Sequence, residues 1–200
     1  MRIDTVCAYC GSSPGRRPDY VDAARRLGLA LADRGIGLVY GGARVGLMGV
    51  VADAVLGAGG TAVGVIPEAL VAKEVAHTGL TELVVTASMH ERKTAMADRS
   101  DAFVALPGGI GTLKELFEVW TWGLLGFHAE PCGLLDVAGY FDGLVRFLDP
   151  AVSEAFVKGP HRSMLAVESE PDVLLDRFAT YAPPVVEKWA TKDPTPSSQP

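Results

Sequence analysis

The chain has 200 residues, of which 48% are hydrophobic, and it holds no apolar run long enough to span a bilayer. These values predict one sizeable domain with its own core. The formal net charge of −6 argues against general nucleic-acid binding and favours small anionic ligands over polymers. The first five residues lack the pattern of a signal peptide, so the expected location is the cytoplasm.

Short apolar runs alternate with amphipathic segments along the chain. The runs predict strands at residues 3–9, 37–40, 61–66, 83–85, 101–105, 132–137 and 165–167. The amphipathic segments predict helices at 19–34, from the turn at 41–49 to 57–60, and at 88–99, 112–126, 140–156 and 171–181. This alternation predicts an α/β fold in which a mainly parallel sheet has helices on both faces.

Residues 1–182 are predicted to form this single domain. Within it, residues 68–81 are less regular and predict a loop or broken helix that overhangs the ligand site. From Pro183 the sequence is rich in Pro and Ser, so residues 183–200 are predicted to be a disordered tail.

Residues 106–115, Leu-Pro-Gly-Gly-Ile-Gly-Thr-Leu-Lys-Glu, join a predicted strand to a predicted helix through a glycine turn. Gly108, Gly109 and Gly111 let the backbone approach a ligand without an intervening side chain. The helix that follows offers unpaired N–H groups and the positive end of its dipole. The segment is therefore typical of a cradle for an anion, most often a phosphate.

Thr112 and Glu115 in this segment allow two interpretations. Their spacing fits a capping box, in which Glu115 would only satisfy the first N–H groups of the helix. In the other interpretation, the Glu115 carboxylate lies beside the bound phosphate and acts on the group attached to it. This second interpretation requires a nearby cation, because a carboxylate that faces a phosphate is otherwise repelled.

Two other glycine turns follow predicted strands. In residues 10–15, Ser12 and Ser13 either donate to a phosphate or cap the turn. Residues 41–49 have the glycine spacing of a Walker A loop, but Leu47 and Met48 replace its Lys and Ser/Thr, which disfavours ATP hydrolysis. The dinucleotide pattern GxGxxG is absent from these loops, so a nucleoside monophosphate fits better than NAD. All three turns are expected at the carboxyl ends of parallel strands, where ligands bind.

The helix predicted at residues 88–99 has cations on its apolar side. Met89, Arg92, Lys93 and Met96 fall at i, i+3, i+4 and i+7, on one stripe. Buried or half-buried cations need a partner. Two arrangements stay open: the cations pair with a core carboxylate or extend to the surface, or else they line the pocket and meet the phosphate and Glu115.

The cysteines do not indicate a metal or redox site. Cys7 and Cys10 match CxxC, but a glycine turn rather than a helix follows them, and the four histidines are scattered singly. We expect Cys7, Cys10 and Cys132 to be reduced and buried, and we expect no cofactor.

Four segments together carry a resemblance to a known family. They are residues 10–13 (Cys-Gly-Ser-Ser), the glycine turn 41–49, residues 89–93 (Met-His-Glu-Arg-Lys) and residues 107–115 (Pro-Gly-Gly-Ile-Gly-Thr-Leu-Lys-Glu). Over residues 3–181 the chain resembles the LOG (Lonely guy) family, whose members are cytokinin riboside 5′-monophosphate phosphoribohydrolases, often mislabelled lysine decarboxylases.

The resemblance implies a Rossmann-like fold and a homodimer with sites near the subunit interface. It also implies cleavage of the N-glycosidic bond of an adenosine-type 5′-monophosphate, either prenylated or AMP itself, into free base and ribose 5-phosphate. No metal or organic cofactor is implied.

The resemblance also assigns site residues by motif. It implies that Arg92 and Glu115 are the catalytic pair. Further residues of the matching segments would bind the substrate: Ser13, Gly42, Glu74, Lys93, Gly108, Gly109, Ile110, Gly111, Thr112, Leu113, Lys114 and Thr121. Many members have a third glycine where this chain has Ala43, and the turn should stay intact if Ala43 avoids a positive φ.

Two other function classes compete with the hydrolase. One is a non-catalytic protein of similar fold that binds a nucleotide or a cofactor, and the other is a DNA-processing relative. The joint presence of Arg92 and Glu115 favours an enzyme, because a pure binder has little use for a carboxylate near phosphate. The acidic balance and the lack of a basic stripe argue against the DNA-processing relative.

Overall fold

The computed structural model describes residues 2–71 and 76–184, which form one parallel sheet with helices on both faces. The elements of the first half are β1 (Thr5–Tyr9), α1 (Pro18–Asp33), β2 (Gly37–Tyr40), α2 (Gly46–Gly57), β3 (Ala62–Pro67), α3 (Glu68–Val71), β4 (Glu82–Thr86) and α4 (Met89–Ala97). The second half contains β5 (Ala102–Ala105), α5 (Ile110–Leu124), β6 (Cys132–Leu135), a 3₁₀ turn (Val137–Gly139), α6 (Asp142–Ser153), α7 (Gly159–Ser163), β7 (Leu165–Glu168) and α8 (Pro171–Ala179).

The seven strands of the described residues are all parallel and lie in the order β4-β3-β2-β1-β5-β6-β7. The chain steps outward from β1 through β2, β3 and β4, and then returns to the other side of β1 with β5. This reversal leaves a crevice between the loops that follow β1 and β5, and ligands bind at such positions in α/β sheets. The predicted α/β fold with a parallel sheet is confirmed.

Alternate residues of the central strand face opposite helical layers. In β1, Val6 and Ala8 belong to the core shared with α1, α2 and α8. Cys7 and Tyr9 belong to the core shared with α4, α5 and α6. Because both faces of the central strands are covered, β1, β2, β5 and β6 are continuous apolar runs rather than alternating ones.

The connection between β3 and β4 lies over the second glycine turn, as expected for an overhanging segment. Ala43 and Ala76 form an isolated antiparallel bridge, and the His77 N–H donates to the Gly42 carbonyl at 3.0 Å. Gly42 takes a φ of +79°, whereas Ala43 is not among the residues with positive φ. Ala43 therefore avoids a positive φ, which is the condition for the turn to stay intact without a third glycine.

Several predicted boundaries differ from the structure. The helix predicted at 140–156 spans only Asp142–Ser153, and the short α7 that follows it was not predicted. Most of the predicted tail, residues 185–200, lies outside the described residues. In the described ranges, none of the helices has the length and apolar character needed to cross a membrane.

Candidate active site

Three glycine turns meet at the carboxyl edge of the sheet, after the adjacent strands β2, β1 and β5. The Gly11 N–H donates to the Pro107 carbonyl at 3.1 Å, and the Leu47 N–H donates to the Gly11 carbonyl at 3.0 Å. These two hydrogen bonds tie the turn after β1 to both other turns. The prediction that the glycine turns converge on one place is confirmed.

The turn after β5 ends at the N-terminus of α5, which no side chain caps. Gly109 is the N-cap residue. A Cβ atom placed on Gly109 or Gly111 would have no other atom within 4 Å, so both glycines face open space. A Cβ on Gly108, in contrast, would collide with Oγ1 of Thr112. The helix therefore presents its first N–H groups and the positive end of its dipole to an accessible space, as an anion site requires.

Thr112 and Glu115 do not form a capping box. The helix begins at Ile110, so Thr112 is its third residue and cannot be its N-cap. Thr112 is buried, and the Glu115 carboxylate binds Arg92. The interpretation of Glu115 as a helix cap is therefore wrong, because the backbone at Gly109 starts the helix two residues before the predicted position.

Arg92 is the cation that Glu115 requires. Nη1 of Arg92 donates to Oε1 of Glu115 at 2.7 Å, and Nε of Arg92 donates to the Val65 carbonyl at 2.9 Å. The two side chains are 10% and 17% exposed. One anchor lies on β3 and the other on α5, so the planar guanidinium is fixed in orientation. A charge-assisted pair with this little exposure is screened less than a surface pair.

The second glycine turn makes room for this arginine. A Cβ atom on Gly41 would lie 2.6 Å from Nη2 of Arg92 and 3.2 Å from Sδ of Met48. A Cβ on Gly42 would instead face the backbone of the neighbouring strand β3. Gly41, which the sequence analysis did not select as a site residue, therefore shapes the site, whereas Gly42 shapes the turn.

A side-chain cap fixes the start of α4, one turn before Arg92. The hydroxyl of Ser88 accepts from the Glu91 N–H at 3.1 Å, and the Glu91 carboxylate accepts from the Ala87 N–H at 3.0 Å. Arg92 and Met96 are buried on the inner side of α4, as predicted. Met89 is on the same side but stays 42% exposed.

Lys93 pairs with a carboxylate away from the cavity, whereas Arg92 lines the cavity and meets Glu115. Nζ of Lys93 lies 2.5 Å from Oε1 of Glu118, and the two side chains are 17% and 25% exposed. The neighbouring cations thus have separate partners on α5, since Arg92 binds Glu115 and Lys93 binds Glu118.

Arg92, Glu115 and the N-terminus of α5 border a cavity of about 390 Å³. It contains a guanidinium, a carboxylate and a helix N-terminus between largely apolar walls, a composition typical of small-molecule sites. The lining residues are Cys10, Ser12, Met48, Leu70, Met89, Arg92, Gly109, Ile110, Gly111, Thr112 and Glu115.

Comparison with known proteins decides the family. The profile of a family described as possible lysine decarboxylase matches residues 48–178. A rice (Oryza sativa subsp. japonica) protein described as probable cytokinin riboside 5′-monophosphate phosphoribohydrolase LOGL5 is 49% identical over 191 residues, which are 96% of this chain and 78% of the rice protein. The Arabidopsis thaliana cytokinin riboside 5′-monophosphate phosphoribohydrolase LOG1 is 45% identical over 182 residues, 91% of this chain and 85% of the relative. The chain belongs to the LOG family.

Solved structures agree with the fold of this LOG-family protein. A molybdenum cofactor binding protein from Rippkaea orientalis aligns with a TM-score of 0.65 and 20% identity, over 90% of this chain and 98% of that one. The molybdenum cofactor carrier protein of Chlamydomonas reinhardtii aligns with a TM-score of 0.66 and 21% identity, over 90% and 100%. At this identity the likeness shows the shared fold alone.

About half of the residues assigned by motif lie on the cavity of the LOG-family chain. They are Arg92, Gly109, Ile110, Gly111, Thr112 and Glu115. The remaining described ones do not line it: Ser13, Gly42, Lys93, Gly108, Leu113, Lys114 and Thr121. Ser13 accepts from the Gly15 N–H at 3.3 Å and so caps its turn. Thr121 is exposed and donates to the Phe117 carbonyl at 2.6 Å. Glu74 lies outside the described residues.

Three apolar residues of the cavity wall were not predicted as site residues: Met48, Leu70 and Met89. The stripe that contains Arg92 also contains Met89, so this residue was detectable. Leu70 gave no signal, because its position depends on how the connection after β3 crosses the glycine turn. Glu118 was not selected either, although it lies one helical turn after Glu115.

The thiols near the site are neutral at ordinary pH. Burial raises the pKa of the Cys7 thiol to about 12 and also raises the pKa of Cys10, which lines the cavity. All three cysteines are free and buried. Within residues 2–71 and 76–184, there is no group of three His, Cys, Asp or Glu side chains suited to a metal ion.

Proposed function

We propose that this LOG-family protein hydrolyses the N-glycosidic bond of cytokinin riboside 5′-monophosphates, and of AMP, to give the free base and ribose 5-phosphate. The observation that carries the proposal is the Arg92–Glu115 pair, held at 2.7 Å beside the N-terminus of α5. The substrate class is supported by relatives of 45% to 50% identity that are described as phosphoribohydrolases of these nucleotides.

The 5′-phosphate binds at the N-terminus of α5. The glycines at 109 and 111 leave the first N–H groups accessible, and the helix dipole favours the negative charge there. Glu115 lies five residues after Ile110, which corresponds to about 7.5 Å along the helix axis. A nucleotide held by its phosphate at the terminus therefore extends its sugar toward the carboxylate rather than placing its phosphate against it.

Glu115 acts on the ribose. When the bond between C1′ and the base nitrogen breaks, the bonding electrons leave with the base and positive charge develops on the sugar, which the carboxylate stabilises. A water molecule then attacks C1′ and gives its proton to Glu115, while the departing base takes up a proton from solvent. Glu115 returns its proton to solvent, so one nucleotide and one water yield one base and one ribose 5-phosphate.

Arg92 keeps the carboxylate ready for this step. Its bond to the Val65 carbonyl fixes the guanidinium on β3, and its bond to Glu115 then fixes the carboxylate on α5. A guanidinium at this position also offsets the repulsion between Glu115 and the phosphate. The reaction needs nothing beyond these groups and water.

We propose further that the protein is a homodimer in which a second copy completes the site. Among the residues that line the cavity, Ile110 is 87% exposed and Met89 is 42% exposed, and Val85 on the edge strand β4 is 52% exposed. Exposed apolar side chains at a ligand site and at a sheet edge favour a covered surface. Thr121 is exposed and does not line the cavity of its own chain, so its assignment as a substrate contact fits a residue supplied by the second copy.

The expected cytoplasmic location belongs to the same proposal. The three cysteines are free thiols, which suits a reducing compartment. The single domain over residues 1–182 is likewise proposed as the catalytic unit, since the nucleotide cavity is built from residues 10 to 115.

Decarboxylation of lysine, which the description of the matching family suggests, fits the site poorly. Such chemistry commonly uses pyridoxal phosphate on a Schiff-base lysine. Among the described residues that line the cavity there is no lysine, because Lys93 is paired with Glu118 and Lys114 is exposed on α5.

Product analysis tests the proposal. The purified protein is incubated with isopentenyladenosine 5′-monophosphate, with AMP, and with adenosine, which lacks the phosphate. We expect free base and ribose 5-phosphate in equal amounts from the two nucleotides, and a far slower release from adenosine. If the protein binds AMP but releases no base, the hydrolase proposal fails and a non-catalytic nucleotide-binding protein takes its place.

A further inference from the structure

Two successive ion pairs join α4 to α5. Arg92 binds Glu115 at 2.7 Å, and its neighbour Lys93 binds Glu118 at 2.5 Å. Glu115 and Glu118 are three residues apart and therefore lie on the same face of α5. The catalytic pair is thus followed directly by a second pair between the same two helices.

The second pair lies behind Glu115 and away from the substrate cavity. Lys93 does not line that cavity. It lines instead a narrow gap of about 10 Å³, together with both glutamates, Tyr9 and Trp122. Glu115 lines both the gap and the cavity, so this residue lies between them.

The Glu118 carboxylate depends on Lys93. Its Oε2 atom is buried without a hydrogen-bond partner, and its Oε1 atom receives the lysine. If the lysine charge were removed, an uncompensated, largely buried carboxylate would remain one helical turn from Glu115. Breaking one partner of such a pair is costly, because the other charge stays where water reaches it poorly.

We propose that Lys93 and Glu118 are a positioning pair, which holds α4 against α5 and balances the charge behind the Glu115 carboxylate. This proposal rests on the proposed hydrolase function, and it gives Lys93 a different role from the substrate-binding role that the resemblance implies. Lys93 binds Glu118 at 2.5 Å in a separate gap. The proposal therefore assigns the contacts to the substrate phosphate to the N-terminus of α5 and to Arg92.

In the part of the chain that the structure describes, few charges face Glu115 besides these two. From α4 it is faced by Arg92 and Lys93, and from α5 by Glu118. From β1 and the residue after it, Cys7, Tyr9 and Cys10 interact with Glu115. Burial raises the pKa of these last three groups above their ordinary values, so they stay neutral at ordinary pH. The balance around Glu115 therefore changes mainly through Arg92, Lys93 and Glu118.

Three variants test this balance: Lys93→Met, Glu118→Gln, and the double variant. Lys93→Met leaves a negative charge behind Glu115, which disfavours its ionised form, so the acid limb of the kcat/KM profile for AMP should move to higher pH. Glu118→Gln leaves a positive charge and should move the limb to lower pH. We expect shifts of about 0.5 to 1 pH unit in opposite directions, and a double variant close to the native profile.

The affinity for AMP separates this proposal from a phosphate contact. A positioning pair predicts that the double variant binds AMP within about threefold of the native protein, since no substrate contact is lost. A lysine that binds the phosphate predicts at least tenfold weaker binding in both variants that lack Lys93. Weak binding by the double variant, or single variants that shift the profile in the same direction, would overturn the proposal.

The Arg177–Glu168 pair is the matched control. It has the same separation of 2.5 Å, and Glu168 is 25% exposed, as Glu118 is. It joins β7 to α8, away from the cavity. Arg177→Met and Glu168→Gln should leave the pH profile in place. If the pH profile of a control variant shifts as far as that of Lys93→Met, the shift is a general effect of charge, and the proposed role of the Lys93–Glu118 pair is contradicted.

A titration independent of turnover keeps this inference separable from the function. The carboxyl carbon of Glu115 is followed by ¹³C NMR in native protein and in the three variants. If native protein releases no base, the hydrolase proposal fails, yet opposite shifts of the Glu115 titration in the single variants still support the pair. If base is released and the Glu115 titration does not move in either single variant, the pair is overturned while the function stands.

Discussion

At the scale of single residues, the proposed phosphate cradle depends on which glycines have space around them. Gly109 and Gly111 face open space, whereas Gly108 packs against Thr112 and the backbone of Gly11. The same residue type therefore serves two purposes within four positions. Glycine at 108 permits close packing of the turn, and glycine at 109 permits close approach of a ligand.

This difference predicts that alanine at position 109 affects ligand binding, whereas alanine at position 108 affects stability. Gly109→Ala should leave stability unchanged, because the added methyl meets no atom within 4 Å, but it should weaken AMP binding by tenfold or more by obstructing the N–H groups. Gly108→Ala should lower the free energy of unfolding by about 1–3 kcal/mol, because its methyl collides with Thr112.

Urea unfolding and calorimetric titration with AMP measure the two effects. If Gly109→Ala binds AMP as tightly as the native protein does, the phosphate does not bind at the N-terminus of α5.

At the scale of elements, α4 matters because it carries Arg92 in its second turn. Its N-cap, Ser88, satisfies the Glu91 N–H, and capping bonds of this kind contribute about 1 kcal/mol. Ser88→Ala should therefore lower the free energy of unfolding by about 1 kcal/mol and reduce kcat/KM, since a frayed first turn loosens Arg92.

Ser153→Ala is the matched control for this prediction. The hydroxyl of Ser153 donates to the Pro150 carbonyl near the end of α6 and caps no helix start. Its removal should change stability by less than about 0.5 kcal/mol and leave kcat/KM unchanged. Equal losses in both variants would show that the cap of α4 has no particular role.

Elements with strong local signals were predictable from the sequence. The strand at residues 37–40 and the start of the helix predicted at residues 88–99 match the structure within one residue, because both have strong local signals. The start of α5 was placed two residues late, since its N-cap is a glycine without a side-chain signal. The apolar stripe placed Arg92 and Lys93 inward. The pairing of Lys93 with Glu118 was not predictable, because it depends on how α5 is rotated against α4.

At the scale of the whole molecule, the sheet buries the three thiols. Cys7 and Cys132 lie in strands β1 and β6, and Cys10 follows β1 at the cavity. Burial raises the pKa of the Cys7 thiol to about 12 and raises the other two as well. A raised pKa means that the protonated, unreactive thiol predominates at all lower pH values.

The folded protein should therefore resist thiol reagents at pH 8. We expect less than about one cysteine per chain to react with Ellman's reagent under native conditions, and all three to react once the chain is unfolded in urea. Fast reaction of the native protein at pH 8 would contradict the burial of these side chains.

The strand order also explains why the glycine turns and the Glu115 carboxylate lie at one cavity. The reversal at β1 brings the turns after β1 and β5 together, and α5 then leads from the proposed phosphate position at its N-terminus to Glu115. The connection after β3 and the helix α4 close the same cavity from the other side. The proposed positions for phosphate binding and for bond cleavage thus lie on successive turns of one helix, as the hydrolase proposal requires.

Substitution of Glu115 by Gln tests the central claim most directly. Glutamine keeps the size of the side chain and an oxygen for Arg92 but removes the negative charge. Base release from isopentenyladenosine 5′-monophosphate and from AMP is compared with AMP binding, in native protein and in Glu115→Gln. We expect the rate to fall by about 10³-fold while the affinity for AMP stays within about threefold. If Glu115→Gln releases base at the native rate, the carboxylate is not catalytic and the account is contradicted.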